Sequence, residues 1–181
     1  MIFMVRFLGI LLITMLFLGC SSEKRRLLGV YESSAQIAVN DDINSIVDIK
    51  TREDFGWFGL KCESEIKISF LFNESFDFRD IILNYKLDIE GDWHFDDGIL
   101  TVSLDSTSFK YDFVGSNAER PTEKTMVRSL REEVRNTLLP DLRRRILNMT
   151  NRNIEVPSVS DSVLIVAYRD DGKEMILRKI E

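Results

Sequence analysis

Histidine appears once in this chain, cysteine twice and proline three times. The lone histidine, His94, excludes the zinc patterns that need several imidazoles. It would also have to serve as the base of any Ser-His-Asp arrangement, and no Gly-x-Ser-x-Gly elbow is present. The two cysteines are Cys20 and Cys62. If Cys20 is modified, as argued below, Cys62 has no partner and the domain must be held by its core without a disulfide. Positive charge is scarce too. Lysine and arginine number 24 against 30 acids, giving a net charge of −6, the opposite of the basic footprint that nucleic-acid binding requires. No apolar run reaches the roughly 20 residues of a membrane-spanning helix. Low-complexity tracts and internal repeats are absent, apart from two Asp-Asp-Gly turns.

What is present begins with an address. Arg6 is the only charge before Phe7–Leu18, which is apolar except for Gly9 and Thr14 and is followed by Gly19-Cys20. A short positive region, an apolar run of about a dozen residues and a small residue make a secretory signal. The stretch Leu16-Phe17-Leu18-Gly19-Cys20 resembles the bacterial lipoprotein signal. The resemblance implies cleavage before Cys20, a thioether-linked diacylglycerol on its sulfur and a palmitate-type acyl chain on its new amino group. Several acyl chains, at about 0.8 kcal/mol per buried CH₂, make a stable tether. Ser21 and Ser22 lack the aspartate of inner-membrane retention, so the resemblance implies an outer-membrane protein of a bacterial envelope. An ordinary cleaved signal would change the tether but not the compartment. The organisation expected is a signal over 1–19, lipidated Cys20 with a linker to residue 27, and one domain over 28–181.

From residue 28 to about Phe113 the apolar period is two. Cys62, Ser64, Ile66, Ile68, Phe70 and Phe72 alternate with Glu63, Glu65, Lys67, Ser69 and Leu71, as in a half-buried strand. Ile81, Leu83, Tyr85, Leu87 and Ile89 form the next, joined through a turn at Asn73-Glu74-Ser75. Gly91 is expected to end that strand and Trp93–Phe95 to form a short one. Asp96-Asp97-Gly98 is a hairpin signal, followed by Leu100, Val102 and Leu104, then Phe109, Tyr111 and Phe113. Earlier, residues 30–39 and 43–50 read as strands around Asn40-Asp41-Asp42, and 52–60 as a loop or irregular hairpin.

The period then lengthens. Val127, Leu130, Val134, Leu138, Leu142, Ile146 and Met149 recur at spacings of three and four, an amphipathic helix near 122–150 with Thr122 as its N-cap. Pro140 inside it predicts a kink or two helices meeting near Leu139. Residues 119–152 carry nine basic side chains against five acidic ones. Its apolar stripe is expected to pack on the β-domain; the alternative is a basic helix for a membrane or an acidic partner, with Arg143, Arg144 and Arg145 as contacts. After Pro157, Val163 to Tyr168 and Met175 to Ile180 are strands around Asp170-Asp171-Gly172.

The fold class expected is mainly β (α+β): an antiparallel up-and-down meander of eight or nine strands with one helical insert. Such a meander removes its edges by closing into a barrel. Leu28-Gly29-Val30-Tyr31, Gly91-Asp92-Trp93 entering a strand, the Asp-Gly turn before Leu100-x-Val102-x-Leu104, and the final hairpin resemble the lipocalin-like domains of small bacterial lipoproteins. The resemblance implies a barrel or half-open sandwich, often holding a small apolar ligand, and supplies no catalytic residues.

Chemistry is thin. His94 lies among Asp92, Asp96 and Asp97, but the last two are explained as turn residues, and no metal is expected. Glu63 and Glu65 share a strand face that is expected to be solvated rather than catalytic. Phe55, Trp57 and Phe58 are either a core-capping loop or an apolar patch for ligand or membrane. Cys62 is expected as a buried thiol. The function expected is a lipid-anchored, non-catalytic binding module for an apolar small molecule or an envelope protein, with no cofactor, no nucleic-acid partner and a membrane contact through its anchor. The alternative is a structural or stress-related envelope component without a ligand, with an enzyme third.

Overall fold

In a computed structural model, residues 24–40, 44–72, 79–148, 153–168 and 174–181 are described. Nine antiparallel strands follow the expected period of two: β1 (Gly29–Asn40), β2 (Asn44–Gly56), β3 (Gly59–Phe70), β4 (Ile81–Asp96), β5 (Ile99–Leu104), β6 (Lys110–Ser116), β7 (Asn153–Val159), β8 (Val163–Tyr168) and β9 (Glu174–Lys179). Eight of them close a barrel in the order β3-β2-β1-β9-β8-β7-β5-β4, with β4 returning to β3, and β6 is the extra strand on β4. Closure is short. Tyr31 and Glu32 of β1 pair with Lys179 and Arg178 of β9, and Val30 exchanges backbone hydrogen bonds with Ile180 and Glu181.

Register aligns the inward residues in rows. Val47, Ile68 and Leu83 stand side by side, then Ile49, Ile66 and Tyr85, then Thr51, Ser64 and Leu87, then Glu53, Cys62 and Ile89. An eight-stranded barrel has room for its own side chains or for one small ligand. Here Ile66, Ile68, Leu83, Leu87, Leu100, Leu164 and Leu177 are buried in one core, each contributing about 1.5–3 kcal/mol by leaving water. The turn over residues 24–27 closes one end, with Leu27 fully buried.

Several sequence expectations are corrected. Residues 52–60 belong to a hairpin, as one of the two expected alternatives had it, but a regular one and not a loop. Arg52 faces Glu63 and Asp54 faces Lys61, while Glu53 turns inward and so disguises the apolar alternation. Gly91 does not end β4. A Cβ there would lie 2.4 Å from the Ser103 carbonyl oxygen, so glycine lets β5 approach as β4 continues through Trp93. β5 and β6 run along the same strand, β4, and the break between them is satisfied locally. The Glu90 N–H donates to Ser108 Oγ at 2.8 Å, and Thr107 donates twice to Asp105 Oδ1. Asp97 and Gly98 have φ of 48° and 73°, the left-handed geometry of a tight hairpin. β7 is a further strand, which Pro157 hides from the period of two, and its pairing with β8 shifts register between Glu155 and Ser158. The expected turns at 40–42, 73–75 and 170–172 lie wholly or partly outside the described residues, as do Met149 and Arg152.

The helical insert spans α1 (Pro121–Glu133), a π-helical turn (Val134–Leu138) and α2 (Leu139–Asn148). Its N-cap is Arg120 rather than Thr122, with Pro121 in the first turn, where its missing N–H costs nothing. Glu123, only 1% exposed, accepts the backbone N–H groups of Glu119 and Arg120 at 2.8 and 3.0 Å, and Arg79 flanks it. The second α-helical piece begins at Leu139, next to Pro140 and near the expected meeting point, and a π turn joins it to the first without interruption. The turn also re-phases the stripe. The buried positions are Val127, Leu130, Val134 and then Leu139 instead of Leu138, and all four join the barrel core. The stripe therefore packs on the β-domain.

Candidate functional site

Between the helix and β6 lies a cleft of about 490 Å³ lined by Tyr85, Tyr111, Phe113, Arg128, Arg131 and Arg135, among others. Its floor is set by pairing: Tyr85 faces Phe113, and Leu87 faces Tyr111. The Tyr85 and Phe113 rings meet edge-on with centroids 5.4 Å apart. Its wall is set by helical spacing, because residues three, four and seven apart share a face. Arg131 lies 3.9 Å from the Phe113 ring centroid, a stacked cation–π contact that holds the guanidinium in place. Burial raises the Tyr85 hydroxyl above the ordinary phenol value, and the nearby Arg131 charge opposes that shift. Arg135 approaches Glu132 at 3.7 Å. Asp112 also lines the cleft, so three guanidinium groups outnumber two carboxylates. Such a surface can hold an anionic group over an aromatic floor.

A second polar feature is internal. Register sets Tyr31, Glu53 and Cys62 in one inward row. The Tyr31 hydroxyl is buried with no hydrogen-bond partner among the described residues, and its ring meets Phe55 edge-on at 5.7 Å. Burial pushes the Glu53 carboxyl up to about 7, and burial with the Glu53 charge beside it raises the Cys62 thiol. In the next row Thr51 and Ser64 share a hydrogen bond at 3.0 Å.

The residues singled out from sequence scatter. Cys20 lies outside the described residues. Phe55 is buried and packs edge-on against Trp93 at 5.4 Å, so it belongs to the core and not to a contact surface. Trp57 and Phe58 instead form the tip of the β2–β3 hairpin and are 47% and 100% exposed. The three consecutive arginines are tied to their own chain. Arg143 donates to the Ser106 carbonyl at 3.1 Å, and Arg144 and Arg145 both pair with Asp141. Cys62 is buried and free. His94 is exposed, paired opposite Thr101, and no three metal-binding side chains come together among the described residues. Glu63 is held by Lys61 at 2.7 Å on the wet face, and the hydrogen bond from Lys61 lowers its carboxyl below the usual range.

The sequence pattern does not single out the cleft arginines as a set. Their helical spacing was legible, but their apposition to Tyr111 and Phe113 depends on β6 adding to β4. Glu53 had a signal in its parity with Val47, Ile49 and Phe55. No protein-family model matches the chain, and no curated protein matches it.

Proposed function

We propose that this chain is a lipid-anchored protein of the bacterial cell envelope whose barrel serves as a non-catalytic binding module. The observation that carries the binding reading is the cleft between the helix and β6. The ligand of this reading sits in that cleft, with an apolar body on Tyr111 and Phe113 and an anionic group among the arginines. The anchor rests on the run before Cys20.

Calorimetric titration of the folded protein with octyl phosphate and with octanol tests the cleft. The phosphate should bind and the alcohol should not. Arg128→Ala with Arg131→Ala should weaken the phosphate at least tenfold, and raised salt should do the same. Equal binding of both amphiphiles, or no effect of the arginine changes, would contradict the assignment.

A second reading, docking of an envelope protein, has its own support. Among the described residues, β1 beyond Glu32 pairs on one edge only, and its stretch Ser33–Ala38 carries no charge and no proline to guard the other. Beside it runs an open trough of about 1440 Å³ whose lining includes Gln36, Lys50, Lys67 and Ile176. Added strand pairing there would mark this reading.

A further inference from the structure

Lys24 ties the start of the domain to one end of the barrel. Its ammonium donates to the Trp57 carbonyl at 3.2 Å and sits 4.7 Å from the Trp93 ring centroid. Leu27, three residues on, is fully buried in the core. The position of residue 24 is therefore fixed beside the β2–β3 hairpin. Cys20 precedes it by four residues, and a chain spans at most about 3.6 Å per residue, so an acyl anchor on Cys20 holds this end within about 14 Å of the lipid.

That end is built for a bilayer surface. The hairpin turns at Trp57-Phe58, flanked by Gly56 and Gly59. Neither turn residue is glycine, asparagine or aspartate, the types that turn geometry favours. Phe58 is fully exposed and Trp57 nearly half exposed, although both would be stabilised by burial. Arg25 and Arg26 are exposed beside the docked lysine and complement anionic headgroups. Aromatic side chains with a polar edge settle at the headgroup level, and an apolar tip sinks just beneath it. We infer that the Trp57-Phe58 hairpin inserts into the membrane interface and orients the barrel with its Lys24 end down. The inference rests on the anchor reading but makes a separate claim about the hairpin.

The test uses the full chain as isolated from its membrane, reconstituted in phosphatidylethanolamine–phosphatidylglycerol vesicles with brominated acyl chains. Trp57 emission should shift to the blue and be quenched at least twofold relative to unbrominated vesicles. Trp93, buried in the core, should not respond, so Trp57→Phe should abolish the quenching. Phe58→Asp, at a fully exposed site, should leave the thermal melt unchanged and still lose the quenching. Equal Trp57 emission in the two vesicle types would overturn the inference. The intact mass of the same sample reports the acyl chains separately. An acylated protein with unquenched Trp57 keeps the anchor and loses the hairpin; an unacylated protein with quenched Trp57 does the reverse.

Discussion

Glu53 points into the barrel between Tyr31 and Cys62, and burial moves its carboxyl from 4.5 to about 7. A carboxyl raised on folding binds its proton more tightly in the native state. Its contribution is intact below about pH 4.5, declines as pH rises and is lost once pH passes the folded value of about 7. The loss is of order 1–3 kcal/mol, towards the lower end because the side chain keeps some accessible surface. Glu63, Asp105, Glu123 and Asp141 act in the opposite sense. Hydrogen bonds from Lys61, Thr107, the Arg120 backbone and Arg144, respectively, hold them below their ordinary values, so their contributions are present above those values and fade in acid. Stability should peak on the acid side of neutrality. Urea midpoints should be higher at pH 5.5 than at pH 8, and Glu53→Gln should shrink the difference; an unchanged difference would remove Glu53 as its source. Cys62, in the same row, should resist a thiol reagent until the protein unfolds. Rapid labelling of the native protein would place it on the wet face and reverse the register of β3.

At the scale of elements, the helix is the sharpest case. Leu130 is in the core and Leu142 only half-buried. Leu130→Asp should cost about 3 kcal/mol or more by burying an unpaired charge, and Leu142→Asp distinctly less. Reversing Arg143, Arg144 or Arg145 to Glu should cost about 0–1 kcal/mol each, since their partners are exposed ion pairs or a loop carbonyl. Leu130→Asp protein that melts like the parent would contradict the packing of the stripe. The strand pattern was legible wherever inward residues are apolar, as in β3 and the first half of β4. It failed where local chemistry interrupts the pattern: Glu53 inside β2, Gly91 inside β4 and Pro157 inside β7. The helix was legible as one amphipathic insert, but not its re-phasing. A π turn shifts the buried side from Leu138 to Leu139, and the sequence offers both leucines. Of the cleft, the arginine spacing could be read in advance; the aromatic floor could not, because it is made by strands whose pairing is non-local.

At the scale of the whole molecule, a closed meander with one added strand leaves two kinds of surface. One end carries the Lys24 dock and the aromatic hairpin, close in sequence to Cys20. The other surface carries the helix and its arginine cleft. The account joins these as a module tethered at one end that binds in the cleft beside its helix. Native mass spectrometry of the protein released intact from its own membrane tests that union most directly. The account predicts a polypeptide beginning at Cys20 with diacylglycerol and acyl mass attached, and a non-covalent small anionic companion that Arg128→Ala with Arg131→Ala removes. A polypeptide bearing no lipid, with no companion sensitive to those arginines, would contradict it.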